Sequence, residues 1–265
     1  MESITQLFDG LWHDYSQRLC PSAVQIQRLL TEDVALLNDH IALRTFGVPK
    51  CSLAVVAAPF IALGYQPQAK YHFETKKLYA EYFMHPDPLL PKVFISELQL
   101  GSCSAELQLM VRGLLDHVDD DYFRNPDFVY SGRPWQLDFT SYQFLAAESE
   151  YAAWVAAHGF GANHFTVSIN QLEQFTDLEQ VNHLLRHNQF VINQVGGEIK
   201  GDATVMLEQS ATMADEVGVS FRDGVHSIPG GFYEFAKRYP QPNGELYSGF
   251  VTASADKIFE STNSE

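Results

Sequence analysis

The order strand–helix–strand–strand–strand can be read twice in this chain, near residues 40–100 and again near 163–239. A histidine opens each run. The first opening is N-D-H-I-A-L-R-T-F at 38–46 and the second is A-N-H-F-T-V-S-I-N at 162–170. The pattern recurs without a matching sequence repeat. It points to an α+β fold with two such units and flanking helices, in one or two domains.

The flanking elements follow from spacing. Ile4, Leu7, Phe8, Leu11, Trp12, Tyr15 and Leu19 lie on one helical face, so a helix is expected over 4–19. Further helices are expected over 22–31, up to Gly64, and over 104–116, 144–158 and 176–189. Strands are expected at 40–46, 71–74, 78–84 and 92–100 in the first unit. In the second they are expected at 164–169, around 203–208, around 215–221, and at 232–239. The Asp- and Pro-rich stretch 116–127 reads as an internal linker, and the tail 251–265 reads as polar and weakly structured.

Bulk properties exclude several function classes. A formal net charge of -16 repels nucleic acid and anionic membrane, so neither is an expected partner. Cys20, Cys51 and Cys103 are scattered and form no C-x-x-C pair, which argues against a disulfide framework or a cysteine zinc site. No secretory leader is evident, and the longest apolar run, 53–65, is too short to span a bilayer. A cytoplasmic protein is expected. Gly196-Gly197 and Gly230-Gly231 are not the glycine-rich turn of a nucleotide site, and Ser168, Ser210 and Ser227 lack a nucleophile elbow.

Side chains alternate across a strand, so His40, Ala42, Arg44 and Phe46 share one face, and His164, Thr166 and Ser168 share another. The last strand of each unit carries a carboxylate among apolar residues: Glu97 in V-F-I-S-E-L-Q-L and Glu234 in G-G-F-Y-E-F-A-K-R. Glutamate is rarely buried without a partner. Two histidines and one or two glutamates on central strands are able to converge on a single metal. Two histidines and one carboxylate on one triangular face leave open positions, as in non-haem iron(II) oxygenases. Taken singly, each histidine is more often a hydrogen-bonded strand residue than a ligand, and each glutamate is equally a partner for Arg44 or a lysine. His183 and His187 are spaced for chelation on a helix but lack the general-base glutamate of H-E-x-x-H. His226, shortly before Glu234, is a candidate for orienting a ligand, and Ser227, Tyr233 and Gln209 are candidate pocket residues.

Together D-H-I-A-L-R-T-F, N-H-F-T-V-S-I-N, L-E-Q-S-A-T-M-A-D and I-P-G-G-F-Y-E-F-A-K-R resemble the 2-oxoadipate dioxygenase/decarboxylase family, over residues 35–260. The resemblance implies a sheet like that of the vicinal oxygen chelate fold, with paired βαβββ units cupped around a metal, in one domain over residues 1–265. It implies Fe(2+) held by His40, His164 and Glu234, with Arg44 recognising a substrate carboxylate. Arg44 would give an acidic protein one local cation for a dianion. The implied reaction consumes 2-oxoadipate and O2 and yields D-2-hydroxyglutarate and CO2, in lysine breakdown. The well-studied bacterial members of the family are much longer than this chain. Two other readings stay open: a lyase, isomerase or hydrolase using another metal, with Glu97 as a fourth ligand, and a metal-free protein that sequesters a small molecule.

Overall fold

A computed structural model describes residues 3–31 and 36–263. Helix α1 (Ile4–Asp14) starts with a reciprocal cap between Ser3 and Gln6, buries Leu7 and Leu11, and passes through a π turn, Tyr15–Leu19, into α2 (Ser22–Leu30). The expected single helix over 4–19 is thus interrupted by this π turn. The first unit follows as β1 (Asn38–Phe46), α3 (Leu53–Ala62), β2 (Gln66–Phe73), β3 (Leu78–Met84) and β4 (Lys92–Leu98).

Helix α4 (Ala105–Asp116) and two 3-10 turns, Asp120–Arg124 and Pro126–Tyr130, connect the halves. The expected helix over 144–158 is two helices, α5 (Phe139–Glu148) and α6 (Glu150–His158). They break at Ser149, whose extended backbone ends one and whose hydroxyl caps the other.

The second unit is β5 (Ala162–Ser168), α7 (Leu178–His187), β6 (Lys200–Asp202), β7 (Leu207–Ala211), a hairpin of β8 (Glu216–Phe221) and β9 (Gly224–Pro229), and β10 (Phe232–Arg238). Helix α8 (Thr252–Ile258) and the 3-10 turn Phe259–Thr262 complete the described chain.

The eight-stranded sheet runs β2-β3-β4-β1-β5-β10-β7-β6. Each unit therefore contributes the same order outward from the centre: its first strand, then its last, third and second. The two first strands, β1 and β5, pair antiparallel at the middle and join both units in one curled sheet. Two expectations for the second unit need correction. Residues 203–206 form the turn between β6 and β7, and 216–221 leaves the sheet to pair only with β9. The outer side of β5 packs under α1 and the π turn, where Trp12, Tyr15, Phe165 and Tyr233 form one aromatic cluster.

Candidate metal centre

The central ladder is regular at His40↔Thr166, Ile41↔Phe165 and Ala42↔His164, and shifts by one residue at each end. The shifts fall at Asp39, between Asn38 and His40, and at Asn163, between Ala162 and His164. Such bulges re-aim a side chain that strict alternation would turn away. Asp39 and Asn163 consequently reach the histidine that follows each of them. Asp39 Oδ1 lies 2.8 Å from His40 Nδ1, and Asn163 Oδ1 lies 3.1 Å from His164 Nδ1. Each imidazole donates from Nδ1 to that oxygen, which leaves Nε2 as the acceptor nitrogen. The polar residue ahead of each strand-opening histidine is thus its orienting partner.

Both Nε2 atoms point at Glu234. His164 Nε2 lies 3.2 Å from Oε2, and His40 Nε2 lies 3.5 Å from Oε1. The three ligand atoms lie within 4.8 Å of one another, and all three residues are buried. Glu234 Oε1 accepts a 2.6 Å hydrogen bond from Gln209 Nε2, while Oε2, though close to His164, has no hydrogen-bond donor. Burial pushes the Glu234 carboxyl up, against the opposing pull of His40 and Gln209. Burial also holds His164 well below the usual imidazole range, with His40 and Arg44 adding to the effect. Two imidazoles beside a carboxyl group with an unsatisfied oxygen form a donor set suited to a divalent ion.

The orienting residues are themselves anchored. Arg238 grips Asp39 through Nε (2.6 Å) and Nη2 (2.8 Å), and Arg238 Nη1 donates to the carbonyls of Tyr247 and Gly249. Burial alone would raise the Asp39 carboxyl, but Arg238, and then His40, hold it well below the usual carboxylate range.

Arg44 lies on the same face of β1 as His40, fully buried. Its guanidinium stacks over Tyr151, Trp154 and Phe259, lies 3.5 Å from Glu150, and donates to Thr262 Oγ1 at 3.1 Å. Its Nε has no partner.

Other candidates lie elsewhere. Glu97 is on the opposite face of β4, where Oε2 accepts from the Leu53 N–H at 2.7 Å and Oε1 accepts from Gln99. It serves the start of α3 and is not brought to the cluster. Register explains the difference. Glu234 stands opposite Thr166, two residues after His164, whereas Glu97 stands opposite Thr45, five residues after His40. The counterpart of Glu234 in the first unit is Phe94, opposite Ala42 and two residues after His40. His226 and Ser227 lie on the β8–β9 hairpin away from the centre: His226 stacks on Phe139, and Ser227 donates to Glu216. Tyr233 faces the outer aromatic cluster and is hydrogen-bonded by Gln27. The positions of Asp39, Asn163 and Thr166 at the site went unread in the sequence. The Thr166 hydroxyl lies 3.1 Å from His40 Nε2.

Comparison with known proteins places the chain. The family model for 2-oxoadipate dioxygenase/decarboxylase matches residues 6–123 and 130–244. A chloroplastic protein of that name from Arabidopsis thaliana is 34% identical over 260 residues, covering 88% of this chain and 70% of its own length. A structure from Shewanella frigidimarina, labelled only provisionally as a hydrolase, is 52% identical with a TM-score of 0.91, covering 96% of this chain and 99% of the other. The hydroxyglutarate synthase from Oryza sativa, solved in complex with 2-oxoadipate, is 32% identical with a TM-score of 0.89, covering 97% and 90%. A glyoxalase-superfamily structure from Ralstonia eutropha, 19% identical with a TM-score of 0.74 over 92% and 84%, shares the fold. The chain belongs to the 2-oxoadipate dioxygenase/decarboxylase family and has its vicinal-oxygen-chelate-like architecture.

Proposed function

We propose that this protein is a non-haem iron(II) dioxygenase and decarboxylase that converts 2-oxoadipate and O2 to D-2-hydroxyglutarate and CO2, a step in lysine breakdown. The observation that carries this reading is the three-residue donor set His40, His164 and Glu234, facing Phe94 where a fourth carboxylate would complete a closed site. Three protein ligands leave room for a chelating substrate and for oxygen. A four-ligand enzyme that recruits Glu97 has no support in the position of that side chain. When bound, iron(II) supplies the activation of dioxygen and of the 2-oxo acid.

The chain's own residues bind, orient and exclude water. Asp39 and Asn163 fix the two imidazoles, and Gln209 holds Glu234 Oε1 so that Oε2 stays available. Arg44 offers a fixed, planar cation for the distal carboxylate of a dicarboxylic acid. Phe94, Phe250 and Phe259 line the space beside the donors and keep it apolar, which strengthens each polar contact made there. Plant relatives named for this reaction, and the rice structure holding 2-oxoadipate, support the substrate class. We read residues 1–265 as one domain, because the two units share one sheet. We keep the expectation of a cytoplasmic protein, supported by three buried, unpaired cysteines. No helix among the described residues is long and apolar enough to cross a membrane.

The test is anaerobic loading with iron(II), addition of 2-oxoadipate, admission of air, and measurement of O2 uptake and CO2 release. Equal amounts of both, with D-2-hydroxyglutarate formed, are expected. Preference for a shorter or longer 2-oxo acid would reject the substrate. Absence of O2 uptake with any 2-oxo acid would reject the reaction.

A further inference from the structure

The cavity at the donor cluster holds only about 30 Å³, close to the space of one water, whereas small-molecule sites span roughly 300–1,000 Å³. What fills it is the segment after β10. Phe250, Ala255, Ile258 and Phe259 line the cavity together with His40, His164 and Glu234. Phe250 packs edge-on against His40 with centroids 4.8 Å apart, and Phe259 packs on Phe73 and on the Arg44 guanidinium. Thr262 Oγ1 accepts from Arg44 Nη2 at 3.1 Å. Beyond Thr262 lies a second cavity of about 230 Å³, lined by Glu150, Trp154 and Thr262 itself. Thr262 lines that cavity, Phe259 lines the one at the donors, and both contact Arg44.

The segment is held by apolar packing, with Phe250 against Tyr71, Tyr82 and Phe94, Phe259 against Phe73, and Ile258 against Ala211 and Phe232, and by polar contacts that are able to break one at a time. Asn193 Nδ2 donates to the Lys257 carbonyl at 3.0 Å and to Ser261 Oγ at 2.8 Å, the Ala214 N–H donates to the Ser261 carbonyl, and Lys76 pairs with Glu260. Removal of one such contact costs far less than exposure of a hydrophobic core.

We propose that residues 250–262 form a strap that competes with substrate. In the closed state the Thr262 hydroxyl stands in for a carboxylate oxygen on Arg44 and the Phe259 ring fills the substrate space. A 2-oxo dicarboxylic acid binds by displacing both, and the strap then closes over it. The substrate class rests on the functional reading above; the strap itself rests on the packing of Phe250, Ala255, Ile258 and Phe259 over the buried donors.

Two variants test this. Thr262→Val removes the hydrogen bond to Arg44, and Asn193→Ala removes both donors to the strap without touching Arg44. Each destabilises the closed state by about a hydrogen bond, which raises the open fraction roughly tenfold for a bond to a charged group. Affinity for 2-oxoadipate, measured by calorimetry on zinc-loaded protein under nitrogen, is expected to rise up to about tenfold in Thr262→Val. The rate of Co2+ uptake by the metal-free protein, followed by absorbance, is expected to rise in both variants. Hydrogen exchange across 250–262 is expected to change on 2-oxoadipate binding. If wild type binds 2-oxoadipate but the variants bind it no tighter and take up Co2+ no faster, the strap is overturned and the function stands. If wild type binds no 2-oxo acid while both variants still accelerate Co2+ uptake, the strap stands and the substrate reading falls.

Discussion

Replacement of Asp39 by asparagine separates two duties of one carboxylate. Asp39 is buried, accepts from His40 Nδ1, and is the counter-ion of the equally buried Arg238. The amide in Asp39→Asn would keep the shape and one acceptor but lose the charge. Arg238 would retain its bonds to the Tyr247 and Gly249 carbonyls, so the loss falls near the lower end of the range for a broken buried pair, about 3 kcal/mol. For a chain of this size that is about 6–12 °C in Tm. Loss of the negative charge on the acceptor that orients His40 independently weakens metal binding, by about tenfold. Differential scanning fluorimetry of the metal-free protein reads the first effect, and isothermal titration with Zn2+ reads the second. A variant that melts early yet binds metal like wild type would show that Asp39 merely anchors Arg238. The bulge at Asp39 would then have no bearing on the ligand. Unchanged Tm and unchanged affinity together would refute the whole arrangement.

Three further outcomes are expected. Arg44→Lys keeps the charge but loses the planar fork, so KM for 2-oxoadipate should rise about tenfold or more while metal stoichiometry stays constant; an unchanged KM would remove Arg44 from substrate recognition. His158 is held neutral, brought down to about 3 mainly by burial and then by Arg18, against the hydrogen bond from its Nε2–H to the Pro229 carbonyl. Its unfolded value is 6.5, so between pH 6.5 and 3 the unfolded state binds the extra proton and stability falls as pH falls, by about 2 kcal/mol at pH 5. The gap in stability between wild type and His158→Gln should shift by that amount from pH 8 to pH 5, and a pH-independent gap would contradict the assignment. Gln209→Leu leaves Glu234 Oε1 without its donor and should weaken Zn2+ binding about tenfold with the fold intact; equal affinity would make Gln209 a bystander.

Much of this site was visible in the sequence. Period-two alternation put His40 and Arg44 on one face, and the repeated element order placed His164 on an equivalent strand. Two things were not visible. Alternation assumes an unbroken ladder, so it turned Asp39 and Asn163 away from the histidines they orient, because a bulge depends on the partner strand. Glu97 and Glu234 look alike locally, since each is a carboxylate in an apolar strand. Only the parallel register, set by tertiary pairing, puts one beside the donors and the other against α3. The tail was misread on composition. T-A-S-A-D-K-I is polar overall, yet as α8 it buries Ser254 and Ile258 and roofs the site. The strand expected at 215–221 missed the Asp223-Gly224 turn that folds it back on β9, a hairpin cue present in the sequence.

The most direct test of the donor set is a metal count. Protein dialysed against iron(II) under nitrogen should retain one ion per chain, His164→Ala and Glu234→Ala should retain none, and Glu97→Ala should retain the full complement. Full occupancy in Glu234→Ala, or loss of metal in Glu97→Ala, would contradict a centre built from His40, His164 and Glu234.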